Sequence, residues 1–148
     1  MSTVRQQVRD AAIDAINASR DPDLPEATKR RWVPGESAQC PMISVFFVEE
    51  PVSGIGGRHG GLIERQLRIA VQCIDSTDLP QFSDDAVEPM LAHVVERLGN
   101  TNLGGLALDI VELSTKWEAA TADRHYIAAT MLWSINFQTK RHDLNARQ

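Results

Sequence analysis

Leu62-Ile63-Glu64-Arg65-Gln66-Leu67-Arg68-Ile69-Ala70-Val71-Gln72-Cys73-Ile74 is the stretch on which the fold turns. Ile63, Leu67, Ile69, Val71 and Cys73 fall on one face with Arg65 as the only charge, while Glu64, Gln66, Arg68 and Gln72 fall on the other. A period of two held this long predicts a strand with one dry face and one wet face. Tyr126–Gln138 repeats the pattern. Ile127, Ala129, Met131, Trp133, Ile135 and Phe137 oppose Tyr126, Thr130, Ser134, Asn136 and Gln138. Most strands run about five or six residues, so both are unusually long.

Working outward, Met42–Glu49 is apolar on both sides (Ile43, Val45, Phe46, Phe47, Val48), which predicts a strand covered on both faces. A glycine-rich loop from Pro51 to Gly61 links it to the strand at Leu62. Upstream, Val4, Val8, Ala11, Ala12, Ala15 and Ile16 form one stripe of a helix over Thr3–Ala18, with Ser2 or Thr3 as N-cap. Pro22 and Pro25 end it, and residues 19–40 read as a long connection in which Trp32 and Val33 form a short edge strand. Downstream, Asp75-Ser76-Thr77-Asp78 opens a second helix over Leu79–Leu98, striped by Leu79, Phe82, Ala86, Met90, Leu91, Val94 and Leu98 and stopped by Gly99-Asn100. A strand from Leu106 to Trp117 changes phase at Val111 and Leu113, the mark of a bulge. Glu118–Arg124 is turn-like, and Thr139–Gln148 reads as a mobile polar tail. The order predicts an α+β fold: a mainly antiparallel sheet of about four strands with two helices packed on one face. Residues 1–148 read as a single domain.

The 43% hydrophobic and 24% charged residues are ordinary for a soluble globular chain. No apolar run approaches the roughly 20 residues that span a bilayer, and the N-terminus has no apolar signal core. The net charge of −5 is uneven. Residues 1–74 carry nine positive and nine negative side chains, residues 75–148 six and eleven. That balance argues against a nucleic-acid grip, which needs clustered Lys and Arg.

Candidate chemistry is thin. Gly54-Ile55-Gly56-Gly57-Arg58-His59-Gly60-Gly61 has strands on both sides and no following Lys-Ser or Lys-Thr, so it is a connector and not a phosphate cradle. Its length exceeds what a hairpin needs, which makes Ser53, Gly54, Ile55, Gly56, Gly57, Arg58 and His59 candidates for contact with a neighbouring subunit. His93 and Glu96 share a helix face, but one such pair is a weak metal signature. Asp84, Asp85 and Glu88 suit a helix N-terminus. No Gly-x-Ser-x-Gly elbow occurs. Cys40 precedes Pro41 and not a helix, and with Cys73 it reads as a reduced, buried thiol. Glu49-Glu50 reads as a solvated turn, and Lys29-Arg30-Arg31 and Lys140-Arg141-His142 as solvated edges. No catalytic residue, cofactor or metal site is expected.

The helix, the strand after a proline (Pro41-Met42-Ile43-Ser44-Val45), the glycine-bearing insertion and the long alternating strand form one plan. The helix after Asp75-Ser76-Thr77-Asp78-Leu79 and two last strands, the final one with Tyr126 and Trp133, complete it. In that order of elements the chain resembles, over residues 3–138, the tail terminator family of long-tailed bacteriophages, also called minor tail protein U. The resemblance implies a virion protein at the head-proximal end of the tail, assembled in the host cytoplasm. It implies a hexameric ring of identical subunits that stops polymerisation of the tail tube protein and joins connector or neck proteins, with DNA passing through the lumen. Two alternatives stay open: another neck or completion protein of related fold, or a small α+β enzyme or ligand-binding domain without a recognisable site.

Overall fold

The computed structural model describes residues 2–32, 40–51, 62–77, 83–140 and 143–147. Six strands form one sheet: β1 (Ala27–Thr28), β2 (Met42–Glu49), β3 (Leu62–Thr77), β4 (Asp109–Thr121), β5 (His125–Lys140) and β6 (Asp143–Arg147). Their order is β1-β2-β3-β5-β4, with β6 also paired to β5. Among the described residues only β1 and β2 pair in parallel. The fold is α+β, as the alternation predicts. The four expected strands are β2 to β5, and β1 and β6 add to them. β6 lies within the stretch expected to be a mobile tail.

β3 and β5 are the backbone of the sheet, paired without a break from Leu62 opposite Lys140 to Thr77 opposite His125. A slip of one residue would turn every core side chain outward, so the long alternation also fixes the register. Leu67, Ile69, Val71, Met131, Trp133 and Ile135 are all at most 2% exposed. Over them lie α1 (Val4–Asn17), through Val4, Val8, Ala12 and Ile16, and α2 (Glu88–Gly99), through Met90, Leu91, Val94 and Leu98. Burying each large apolar side chain stabilises the fold by about 1.5–3 kcal/mol, so this layer carries most of the stability.

Local chemistry sets the helix ends. Thr3 and Gln6 form a reciprocal capping box at α1, with Thr3 N–H donating to Gln6 Oε1 at 2.8 Å. At the other end the Asn17 amide brackets Ala27, donating to its carbonyl at 3.1 Å and accepting from its N–H at 2.7 Å. That clamp delivers β1 to the sheet. The second helix begins later than the stripe predicts. Residues 84–86 form a 3-10 turn capped by Ser83, and α2 starts at Glu88, while residues 78–82 lie outside the described residues. Pro89 is the reason, since it lacks an N–H and fits only the first turn of a helix. Gly99 ends α2 as expected.

The second face of the sheet is drier than the alternation suggests. Tyr126 and Ser134, expected on a wet face, are 2% and 6% exposed. Tyr126, Ile74 and Ala128 form a small second core closed by Trp32 and Cys40, and the rings of Trp32 and Tyr126 lie 4.8 Å apart. Trp32 is therefore a cover for this face and not part of an edge strand; Val33 lies outside the described residues. The same segment covers β2. The Ser44 hydroxyl donates to the Arg30 carbonyl, and the Arg31 guanidinium sits 4.3 Å from the centre of the Phe46 ring. The expected cover on both faces holds for Met42 to Val45, while Phe46 and Phe47 are half-buried and Val48 is exposed.

β4 carries the expected bulge, its register shifting between Glu112 and Ser114. It continues past Trp117 to Thr121, so the turn-like stretch is shorter than 118–124. Gly104 (φ 67°) and Gly105 (φ 89°) take left-handed conformations that glycine adopts without strain in the turn leading to β4.

Candidate assembly surface

The loop residues singled out in the sequence, Ser53, Gly54, Ile55, Gly56, Gly57, Arg58 and His59, lie outside the described residues. The chain on either side of them is firmly held. Glu49 is exposed and pairs with Arg68, as a solvated turn would have it. Glu50 does not fit that expectation, because its side chain is only 8% exposed. It pairs with Arg5 of α1 and with Arg65 of β3, whose Nη1 lies 2.8 Å from Glu50 Oε1. Arg65 Nε also donates to Thr139 Oγ1 at 2.8 Å. A buried charge must be paired and hydrogen-bonded, and this cluster meets that need for the one charge on the dry face of β3. It ties α1, β2, β3 and β5 together at one end of the sheet.

The other candidates find structural roles. His93 Nε2 lies 2.6 Å from the Ile16 carbonyl and Arg97 Nε donates to the Ala15 carbonyl at 3.0 Å, so both join α2 to the last turn of α1. Glu96 is exposed. Among the described residues no three His, Cys, Asp or Glu side chains stand close enough to hold a metal ion. Burial pushes the Cys73 thiol up to about 12, and burial with neighbouring Asp75 also raises Cys40 against a hydrogen bond from Ser76. A raised thiol holds little thiolate near neutral pH.

What the structure adds is the edge made by β4. Among the described residues the strand has β5 on one side and no strand on the other, and none of its thirteen residues is fully buried. Val111, Leu113 and Trp117 are 41%, 43% and 49% exposed. Trp117 borders an open groove of about 480 Å³ between β4 and α2, floored by Leu91 and Met131 and rimmed by Val95, Glu88, Glu96 and Glu112. The opposite edge is blunted. β1 covers β2 at Ile43 and Ser44, and an Arg31 guanidinium N–H donates to the Phe47 carbonyl at 3.2 Å. A long bare strand with exposed apolar side chains is a template for pairing with another chain, and soluble proteins usually cover it. Sequence reasoning identified this strand but not its exposure. The phase shift at Val111 and Leu113, which spreads apolar residues over both faces, was the available signal.

No protein family and no curated protein matches the sequence. Among solved structures, the chain is similar to one in the virion of a native gene transfer agent particle. The two share 16% identity over 92% of each chain, with a TM-score of 0.41. A likeness that loose assigns no function, and the functional argument rests on the edge strand and on the order of elements.

Proposed function

We propose that this chain is a non-enzymatic structural virion protein that caps a bacteriophage tail tube as an oligomeric ring of identical subunits. The ring ends tube polymerisation and offers the surface that joins the head. The bare β4 edge with its half-exposed Trp117 carries this reading, because an edge of that length calls for a partner chain. The order of elements, which resembles the tail terminators, supplies the kind of partner. Six copies, the tail tube protein, the neck proteins and a lumen open to DNA follow from that resemblance. The segment Ser53–His59, rooted at Glu50 and Arg65, serves as a second contact to the tube or to a neighbouring subunit.

Deleting the gene and imaging the particles tests the proposal. Loss of a terminator leaves tails of uncontrolled length that do not join heads. Tails of normal length that fail only to attach would favour a neck or completion protein, and normal infectious particles would end both readings.

A further inference from the structure

The two edges of the sheet differ in charge: Glu26, just before β1, pairs with Arg20, which leaves Lys29, Arg30 and Arg31 in excess on that side. On the β4 side, Asp109, Glu112 and Glu118 outnumber Lys116, and Glu88 and Glu96 rim the groove beside Trp117. On the β1 side, Lys29, Arg30 and Arg31 follow the strand directly and all three are exposed, with Val48 of β2 half exposed nearby. The strand order β1-β2-β3-β5-β4 sets these groups at opposite ends of one sheet.

That arrangement discriminates between two ways in which copies can meet. A two-fold contact of β4 with β4 brings two acidic strands together, and like charges placed opposite one another are destabilising. A contact of β4 with the β1 side of the next copy sets acid against base and leaves one edge of each kind unused at the ends of the pair. Repeated around an axis, the second arrangement closes into a ring, whereas the first stops at two chains. We infer that the β4 edge of one copy docks on the Lys29–Arg31 edge of a second copy, with Trp117 as the apolar anchor. This inference rests on the ring reading above and names the two surfaces that join.

The test uses two variants of the full chain, Glu112→Lys with Glu118→Lys, and Lys29→Glu. All three positions are exposed, so circular dichroism of both variants should match the parent. Assembly is followed by sedimentation velocity and native mass spectrometry, in solution and, if the chain is monomeric there, on isolated tail tubes. Each variant alone should assemble about tenfold more weakly or worse, because close opposed charges are reversed. Mixed together, the two should form one-to-one pairs at close to wild-type strength, since one intact acidic edge then meets one intact basic edge. Trp117→Ala should weaken assembly by about thirtyfold, the effect of truncating a central aromatic anchor.

A Lys29→Glu chain that assembles like the parent and stops at dimers would establish a β4-to-β4 contact and overturn the inference. Rings indifferent to all these changes would overturn it too, while leaving the ring reading intact. A parent chain that stays monomeric in solution and also fails to bind tubes would sink both.

Discussion

Replacing Glu50 by Gln should be among the most damaging single changes in this protein, although it swaps one side chain for another of nearly the same shape. Glu50 is 8% exposed and Arg65 is 9% exposed, so the pair is desolvated on both sides. Without the carboxylate, Arg65 keeps Thr139 but loses its counter-charge. Removing one partner from a buried pair costs about 3–5 kcal/mol, because the other is left charged and buried. Arg5 adds little, since its side chain is 36% exposed and its pairing is screened by water. Domains of this kind have a total stability of about 5–15 kcal/mol, so about a fifth or more is at stake. With a urea slope of about 2 kcal/mol per molar, the unfolding midpoint should fall by about 2 M. Tryptophan fluorescence reads the transition, with Trp133 in the core as a reporter. The double variant Glu50→Gln with Arg65→Met should recover most of the loss, because it removes both charges together. A Glu50→Gln midpoint within about 0.3 M of the parent would refute this account, as would a double variant whose loss is the sum of the two single ones.

Three further outcomes follow from the same structure. Burial holds the Cys73 thiol neutral up to about 12, whereas in the unfolded chain it ionises near its ordinary 9.0. Stability is therefore full below about pH 9 and falls by about 1.4 kcal/mol per pH unit above it, and Cys73→Ala should remove that slope in urea titrations across pH 8–11. Asn17→Ala strips both hydrogen bonds from Ala27 and should cost about 1–3 kcal/mol, with amide exchange rising first at β1 and not in β3 or β5. Thr3→Ala removes the cap of α1 and should cost about 1 kcal/mol by the same urea assay.

The parts of this fold that were legible in the sequence are those governed by local period. β3 and β5 announce themselves because each residue's place on the strand decides its face, and the stripe of α1 follows in the same way. The bulge in β4 was legible as a break in phase. What stayed hidden depends on residues far apart in the chain. Nothing around Glu50 marks it as buried, because its partners lie 45 residues before it and 15 after it. Tyr126 and Ser134 sit in an alternation that reads as wet, and for Tyr126 it is the distant Trp32 and Cys40 that dry that face. The late start of α2 was legible in Pro89, but the apolar stripe outweighed it. The assembly surface was half legible. Periodicity finds β4, yet whether an edge is covered is a property of topology.

The β4–β5 hairpin has a mechanical consequence. At about 3.3 Å per residue, the sixteen residues of β5 extend about 50 Å. A compact globule of this chain length has a radius of gyration of about 15 Å, a sphere about 40 Å across. β5 is thus longer than the diameter of such a sphere, and residues 116–123 at the far end of the hairpin are uniformly exposed. It acts as a stiff spar, hydrogen-bonded along its whole length to β3. The same ladder joins the end of the sheet beside the Ala122 turn to Thr139 and the ion cluster at the other end. Two bodies bound at opposite ends of this spar would feel each other's tilt although neither touches the other.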